Sequence, residues 1–276
     1  MKIPVLTYHA MNVGGNAYAD NDHVAFAADL RHLTARGLRV APLPRLVREW
    51  LSGSLRDARD VVALTCDDGA DFDFRDLDHP AHGPQRSMLN ILRDFREASP
   101  AAQPGLHLTS FVIVSPEARR QLDRTCMVGR GWWNDDWWAE AAATGLMAIG
   151  NHSWDHNHDA LERQPFPLVR AGTFESIEER ALADHEIRQA GEYLRHKAPN
   201  EGAALFAYPY GETNDFLAED YLPGLAGGGE PIVAAFTTDP DYWTPGSDRW
   251  RLPRFVCGRD WRSPGELDRI LEGARA

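Results

Sequence analysis

Two carboxylates and two imidazoles stand at the ends of apolar runs, where they could act together on one substrate. Asp67 and Asp68 end one such run, and His152 and His156 follow another. Adjacent carboxylates raise each other's pKa unless a cation or hydrogen-bond donors stabilise them. The His-x3-His spacing predicts a helical turn with both rings on one face, so that both can bind one cation. One carboxylate and two imidazoles with open coordination positions are typical of a catalytic metal site.

Each of these features also has an ordinary structural interpretation. Asp68-Gly69 is a common turn pair, and a His-x3-His spacing is frequent by chance. A third apolar run ends in Tyr208-Pro209-Tyr210-Gly211, whose tyrosines either wall a pocket or complete a plain turn. His158 follows the histidine pair closely and is more often a surface or supporting group than a ligand.

Short β-branched runs alternate with amphipathic runs along the chain, which predicts strand–helix–strand units and a parallel sheet. Strands are predicted at Pro4–His9, Leu38–Ala41, Val61–Cys66, Thr109–Val114, Leu146–Gly150, Ala204–Tyr208, Ile232–Phe236 and Leu252–Cys257. Helices are predicted at Val24–Arg36, Leu43–Leu51, Arg86–Ala98, Asp136–Thr144 and Phe174–Ala198, with loops at Asn16–His23, His79–Gln85 and Gly224–Pro231. Without repeats or a long linker, residues 1–276 are expected to form one (β/α) barrel domain, with function at the carboxyl ends of its strands.

The composition and the charge of the chain limit the kinds of partner that it can bind. The 29 Lys and Arg residues against 41 Asp and Glu residues give a net charge of −12, so we expect no nucleic-acid partner. No apolar run approaches the ~20 residues of a membrane span. The N-terminus lacks the apolar segment of a secretory signal, so we expect a cytoplasmic protein. Cys66, Cys126 and Cys257 form no CxxC pair, which indicates neither a thiolate zinc site nor a disulfide framework. The oligomeric state stays open.

Three motifs in this order resemble those of the NodB-type polysaccharide deacetylases, carbohydrate esterase family four. The family's Thr-Phe-Asp-Asp-Gly, His-Ser/Thr-x-x-His and Pro-Tyr-Gly motifs stand here as Thr65–Gly69, His152–His156 and Pro209–Gly211. Phe206–Gly211 and Leu252-Pro253-Arg254 look closest to the subset that acts on poly-N-acetylglucosamine. The resemblance covers nearly the whole chain. It implies a distorted (β/α)7 barrel that binds one divalent metal ion, commonly Zn²⁺.

The activity that this resemblance implies is removal of N- or O-acetyl groups from a sugar or polysaccharide, as a hydrolase of carbon–nitrogen bonds other than peptide bonds. Carried over residue by residue, it implies that Asp68, His152 and His156 hold the metal. Asp67 would be the general base toward a water on that metal, and the backbone N–H of Tyr210 would stabilise the oxyanion.

Two departures from the family pattern affect catalysis. Ala207 stands where many members have an arginine that orients the catalytic aspartate. The late Leu-x-His motif, which supplies the general acid, is absent, since the last histidine is His196. We predict that His9, at the end of the first strand, is a functional pocket residue, because a histidine titrates near neutral pH. His158 and Asp67 are alternative proton donors, and His9 could instead only hydrogen-bond at the barrel mouth.

Four tryptophans are clustered in the centre of the chain. Trp137 and Trp138 are expected to begin a helix and pack at least one indole into the core. Trp132 and Trp133 either stack on sugar faces as a glycan platform or pack in the same way.

Two rival functions remain. The first is an amidohydrolase of a small cyclic amide or ureide, which the intact metal ligands disfavour. The second is an inactive glycan-binding relative, and the missing late histidine supports this alternative. Because a cytoplasmic location fits a cell-wall polymer poorly, a soluble precursor or small glycoside is an alternative to a polymer as the substrate.

Overall fold

The computed structural model describes residues 1–56, 58–162, 170–227 and 232–276. Its strands are β1 Val5–His9, β2 Arg39–Val40, β3 Val61–Asp67, β4 Leu77–His79, β5 Gly83–Gln85, β6 Leu108–Val112, β7 Met147–Asn151, β8 Leu205–Ala207, β9 Ala234–Phe236 and β10 Phe255–Val256. Its α-helices are α1 Asp22–Ala35, α2 Leu43–Leu51, α3 Met88–Ala98, α4 Pro116–Cys126, α5 Trp138–Ala143, α6 Arg180–Ala183, α7 Ala190–Lys197, α8 Leu222–Gly227 and α9 Pro264–Arg275. Shorter 3₁₀ turns lie at Tyr18–Asp20, Asp71–Asp73, Glu201–Ala204 and Pro209–Gly211, and π-helical turns at Asp184–Gln189 and Phe216–Tyr221.

The main sheet is parallel and curves into a barrel. Its strand order is β10-β1-β3-β6-β7-β8-β9, with β2 beside β3, and β4 and β5 form a separate antiparallel hairpin. The two ends of this order meet, because Phe236 and Leu252 form a parallel bridge and Thr237 N–H donates to Leu252 O at 2.9 Å. Seven strands therefore form a ring that this short contact closes. This is the predicted distorted (β/α)7 barrel.

Strand β3 shows how the barrel positions chemical groups. Ala63 packs in the cluster inside the barrel, whereas Leu64 and Cys66 pack in the cluster between the barrel and the outer helices. Because successive side chains of a strand face opposite sides, Asp67 faces the interior like Ala63. Asp68 follows at the carboxyl end of the strand, where the loops begin.

The predicted strands are all present, with their ends shifted by a few residues. The helix predicted from Phe174 begins at Arg180, and the loop predicted at His79–Gln85 contains the end of β4 and all of β5. Helices α4, α8 and α9 were not predicted, although α4 and α9 each begin with a serine N-cap and a proline, which is a start signal. The loop predicted at Gly224–Pro231 is helical up to Gly227, and residues 228–231 lie outside the described residues.

Trp137 and Trp138 are both fully buried at the start of α5, as predicted. Across the described ranges, no helix has the length and apolar character that crossing a membrane requires.

Candidate metal and catalytic site

Asp68, His152 and His156 lie together at the carboxyl end of the barrel. Asp68 Oδ1 is 3.6 Å from His152 Nε2 and 3.9 Å from His156 Nε2. These separations are too long for hydrogen bonds. They suit three atoms that share one cation at about 2.0–2.2 Å each. One carboxylate and two imidazoles therefore fit zinc or a similar divalent ion.

Both imidazoles are prepared for metal binding. His152 Nδ1 lies 2.8 Å from Ala207 O. Since this nitrogen donates its proton to the carbonyl, Nε2 presents its lone pair toward Asp68. Burial, followed by the neighbouring imidazoles of His152, His158 and His9, lowers the pKa of His156 well below its usual value. His156 is therefore neutral, which is the form that binds a metal.

The two histidines do not lie on a helical turn, so that part of the prediction from their spacing is wrong. Residues 152–157 form an irregular loop in which His156 has a φ of +67°. Ser153 Oγ accepts the His156 N–H at 2.8 Å, and Asp155 Oδ1 accepts the Asn157 N–H at 2.9 Å. These bonds from side chains to the backbone replace helical ones and turn the chain locally.

The π-helical turn Asp184–Gln189 supports this loop from outside the barrel. Glu186 O accepts the Trp154 N–H at 2.8 Å, and Glu186 Oε2 lies 3.3 Å from Asp155 N. Burial and then the Asp155 charge raise the pKa of Glu186 well above its usual value. Together with His185, these acids form a second group of possible ligand atoms, but their carboxylates already hold the loop. Such π-turns frequently occur at functional sites.

Asp67 is buried beneath the candidate metal ligands, and Arg254 binds both of its carboxylate oxygens. Arg254 Nη1 is 2.7 Å from Oδ1 and Arg254 Nη2 is 2.8 Å from Oδ2. Burial by itself would raise the pKa of Asp67, but the Arg254 charge outweighs it and holds this pKa below its usual value. Arg254 is held in turn by Thr237 O, which accepts from Nε at 3.0 Å. Asp67 is therefore ionised at neutral pH.

Arg254 is a site residue to which the motifs assign no role. It binds the candidate general base, which is the role that the resemblance gives to an arginine at position 207, where this chain has alanine. It reaches Asp67 because β10, which begins at Phe255, lies beside β1, and β1 lies beside β3. A single arginine in an apolar strand needs a buried anion as its partner. That signal could have identified Arg254 from the sequence.

Backbone strain is concentrated around the same groups. Of six non-glycine residues with positive φ in the described ranges, five belong to the loops of this site: Asp68, Ser153, His156, Asn157 and Tyr210. Each such conformation costs about 1–3 kcal/mol and persists only where the surrounding structure imposes it. Gly69 has a φ of +74°, and a Cβ there would lie 2.3 Å from Val112 Cγ1, so the turn after Asp68 requires glycine.

A cavity of about 290 Å³ opens over Asp67, Asp68 and the two histidines. Its remaining lining is His9, Met11, Ile113, Cys126, Trp133, His158, Tyr210, Gly211, Thr238, Val256 and Arg259. His9 Nδ1 is buried there, without a hydrogen-bond partner among the described residues. A larger cavity of about 580 Å³ lies between α1 and α3, but apolar side chains and the Arg86–Asp94 ion pair dominate its lining. The chemistry is therefore in the smaller cavity.

Three of the residues predicted for the substrate pocket line this cavity, namely Tyr210, His158 and Trp133. The Tyr210 ring is 37% exposed and packs against His156, with centroids 4.4 Å apart. Trp133 is only 5% exposed, and its Nε1 donates to the backbone oxygen of Asp68 at 3.0 Å. Trp133 is therefore a wall that holds the turn at Asp68, not an open stacking surface.

The other three predicted pocket residues do not line the cavity. Tyr208 is buried and its hydroxyl donates to Trp250 O at 2.9 Å, while Pro209 is buried within the turn. Trp132 packs against Phe72 with ring centroids 5.5 Å apart. These side chains shape the loops around the site instead of facing a substrate within it.

The chain belongs to the polysaccharide deacetylase family, whose sequence model matches residues 55–221, more than half of its length. This membership indicates a deacetylase, a hydrolase of amide bonds, and it confirms the predicted family and enzyme class. The sequence matches none of the curated proteins with which it was compared.

Solved structures of similar proteins support the fold. The deacetylase PplD of Streptococcus pyogenes, in complex with acetate, is 19% identical with a TM-score of 0.63, over 98% of both chains. IcaB from Ammonifex degensii is 18% identical with a TM-score of 0.63, over 100% of this chain and 97% of that one. A de-N-acetylase of Aggregatibacter actinomycetemcomitans is 13% identical with a TM-score of 0.64, over 98% of this chain and 100% of that one.

Proposed function

We propose that the protein removes acetyl groups from N-acetylated sugar units by metal-dependent hydrolysis. The observation that carries this proposal is the ionised Asp67 beside the ligand group Asp68, His152 and His156, all in one cavity. Resemblance of the Phe206–Gly211 turn to the poly-N-acetylglucosamine subset favours a glucosamine-type substrate. The substrate is a polymer or a soluble precursor of one.

The residues divide the chemistry between them. A divalent cation on the three ligands supplies Lewis-acid chemistry, since it lowers the pKa of water and polarises a carbonyl. Asp67, kept ionised by Arg254, accepts the proton of the attacking water. The backbone N–H of Tyr210 donates to the oxygen that becomes negative, a contribution typically of ~3–4 kcal/mol. His9 then delivers a proton to the leaving nitrogen.

Metal dependence is tested by chelation and by two neighbouring substitutions. Removing the metal should abolish acetate release from acetylated glycans, and zinc should restore it. Asp68→Ala should lose the metal, whereas Asp67→Asn should keep it and lose about 10²–10⁴-fold in turnover. Metal content and acetate release are measured on the same samples. Full activity without any divalent ion would contradict the proposal, and glycan binding without acetate release would indicate an inactive relative.

The acid role of His9 has its own test. His9 lies in the cavity with an unpartnered Nδ1, and no histidine follows His196 to take the family's usual role. His9→Gln should lower turnover and remove the alkaline limb of the pH–rate profile, because the proton donor is gone. His158→Gln is the matched control and should keep that limb. An unchanged profile in His9→Gln would make His9 a structural residue.

A further inference from the structure

Cys126 and His158 meet on the wall of the cavity, outside the candidate metal triad. Cys126 is the last residue of α4, and its Sγ lies 3.9 Å from His158 Nε2. Both residues line the cavity described above. Cys126 is exposed, whereas Cys66 and Cys257 are buried. Cys126 is thus the thiol that a solute entering the cavity can reach.

The spacing of these two atoms suits a shared metal ion. Thiolate sulfur and imidazole nitrogen are the ligands that zinc prefers, at about 2.3 and 2.0 Å. Tetrahedral coordination at these lengths places the two atoms about 3.5 Å apart. The observed separation of 3.9 Å is close to this value, so only a small side-chain movement is needed.

The far side of the His158 ring has a carboxylate within reach of its distal nitrogen. His158 Nδ1 lies 3.2 Å from Asp159 Oδ1 and 3.1 Å from the backbone N of Ala160. Nδ1 accepts the Ala160 N–H, so the ring proton is on Nε2, beside the Cys126 sulfur. Zinc binding through Nε2 requires the ring proton on Nδ1, where Asp159 Oδ1 at 3.2 Å is the acceptor. A carboxylate behind the distal nitrogen is the usual support of a metal-binding imidazole.

We propose that Cys126 and His158 form a second, weaker zinc site at the mouth of the cavity, through which excess zinc inhibits the enzyme. Two protein ligands leave the remaining positions to water, so this site binds more weakly than the triad. The His158 ring centroid is 5.7 Å from that of His156, so an ion here lies beside the path of the acetyl group to Asp67. The inhibition rests on the proposed deacetylase function, whereas the binding does not.

Cobalt(II) distinguishes the two sites, because a cobalt–thiolate bond absorbs in the near ultraviolet and the triad contains no sulfur. The full-length metal-free protein is titrated with Co²⁺. The first equivalent should give only the visible bands of the triad, and further cobalt should add the thiolate band. Cys126→Ser should keep the first step and lose the second, and His158→Gln should weaken the second. Absence of the band at saturating cobalt, or its persistence in Cys126→Ser, overturns the site.

Inhibition is measured as acetate release by the zinc-loaded enzyme at rising zinc. Turnover of the wild type should fall about tenfold at zinc ten times the dissociation constant of the second site, because about a tenth of the molecules then lack the second ion. Cys126→Ser should keep its turnover. Equal inhibition of both proteins overturns the inhibitory role. If neither protein releases acetate while the cobalt band is present, the second site is supported and the proposed function fails instead.

Discussion

Two buried carboxylates near the end of β3, Asp67 and Asp73, have opposite pKa shifts. Burial would raise the pKa of Asp67, but Arg254 outweighs it and the pKa lies below its usual value. Burial raises the pKa of Asp73 to about 8, and the opposing hydrogen bond from Ser110 does not offset it. The side-chain partners described for Asp73 are Ser110 Oγ at 2.5 Å and Cys66 Sγ at 3.7 Å, neither of them a cation.

This difference separates the proposed general base, at the end of β3, from a structural carboxylate in the turn that follows it. Burial alone produces a neutral acid, whereas burial opposite a guanidinium produces a carboxylate that is charged at neutral pH. Asp67 is therefore suited to accept a proton. Asp73 instead joins the turn after Asp68 to Ser110 on β6, as a neutral hydrogen-bonding group.

Arg254→Met should have the largest effect, because it removes the positive charge beside Asp67. Asp67 would then be a buried carboxyl group without a cation, as Asp73 is. Loss of one partner of a buried ion pair should lower the free energy of unfolding by about 3–5 kcal/mol. The pKa of Asp67 should rise, so the acidic limb of the pH–rate profile should shift to higher pH. Activity should therefore recover as the pH increases. Urea unfolding and the pH–rate profile measure both effects.

Arg254→Lys is the matched control for this substitution. It keeps the charge but not the bidentate geometry, so its losses should be smaller than those of Arg254→Met. Equal losses in both variants would show that the geometry of the guanidinium, and not its charge, is what Asp67 requires. An unchanged pH profile in Arg254→Met would contradict the role of Arg254.

Asp73→Asn tests the raised pKa of the second carboxyl group. The pKa of Asp73 is about 8 in the folded protein, whereas that of an unperturbed aspartate is 3.8, so between these limits the folded state binds more protons. Wild-type stability should therefore fall as pH rises, by up to about 1.4 kcal/mol per pH unit. The variant has no such titration, so the stability difference should shift in its favour from about pH 5 to about pH 8. Urea unfolding across this range measures it, and a constant difference would contradict the raised pKa.

The part of the site that follows strand ends was predictable from the sequence. Asp67, Asp68, His152 and His156 each follow an apolar run, and parallel strands bring their carboxyl ends to one edge. The sequence indicates that Arg254 needs a buried anion, but it does not identify Asp67 as that anion, because the two residues meet only through the pairing of strands that are distant in sequence. The cytoplasmic location, too, stays a prediction.

The conformation of the loop that carries His152 and His156 was also not predictable from the spacing of these residues. A separation of four residues fits a helical turn and an irregular loop equally well. The choice between them depended on Ser153 and Asp155, whose side chains bond to the backbone, and on the π-helical turn Asp184–Gln189 outside the barrel. The two tyrosines of the third motif show the same limit. Tyr208 packs in the core and Tyr210 lines the cavity, although both belong to one short turn.

Ser110→Ala should have the smallest effect on stability among these substitutions, because it removes one hydrogen bond to Asp73. The Ser110 hydroxyl, 2.5 Å from Asp73 Oδ2, lowers the pKa of that carboxyl against the larger effect of burial. Without it, the pKa of Asp73 should rise further, and the free energy of unfolding at about pH 6 should fall by about 1 kcal/mol. The deficit should grow above about pH 8, where Asp73 ionises in the wild type with a donor that the variant lacks. Urea unfolding at these two pH values decides the point. A deficit that is the same at both would mean that Ser110 packs beside Asp73 without stabilising its charge.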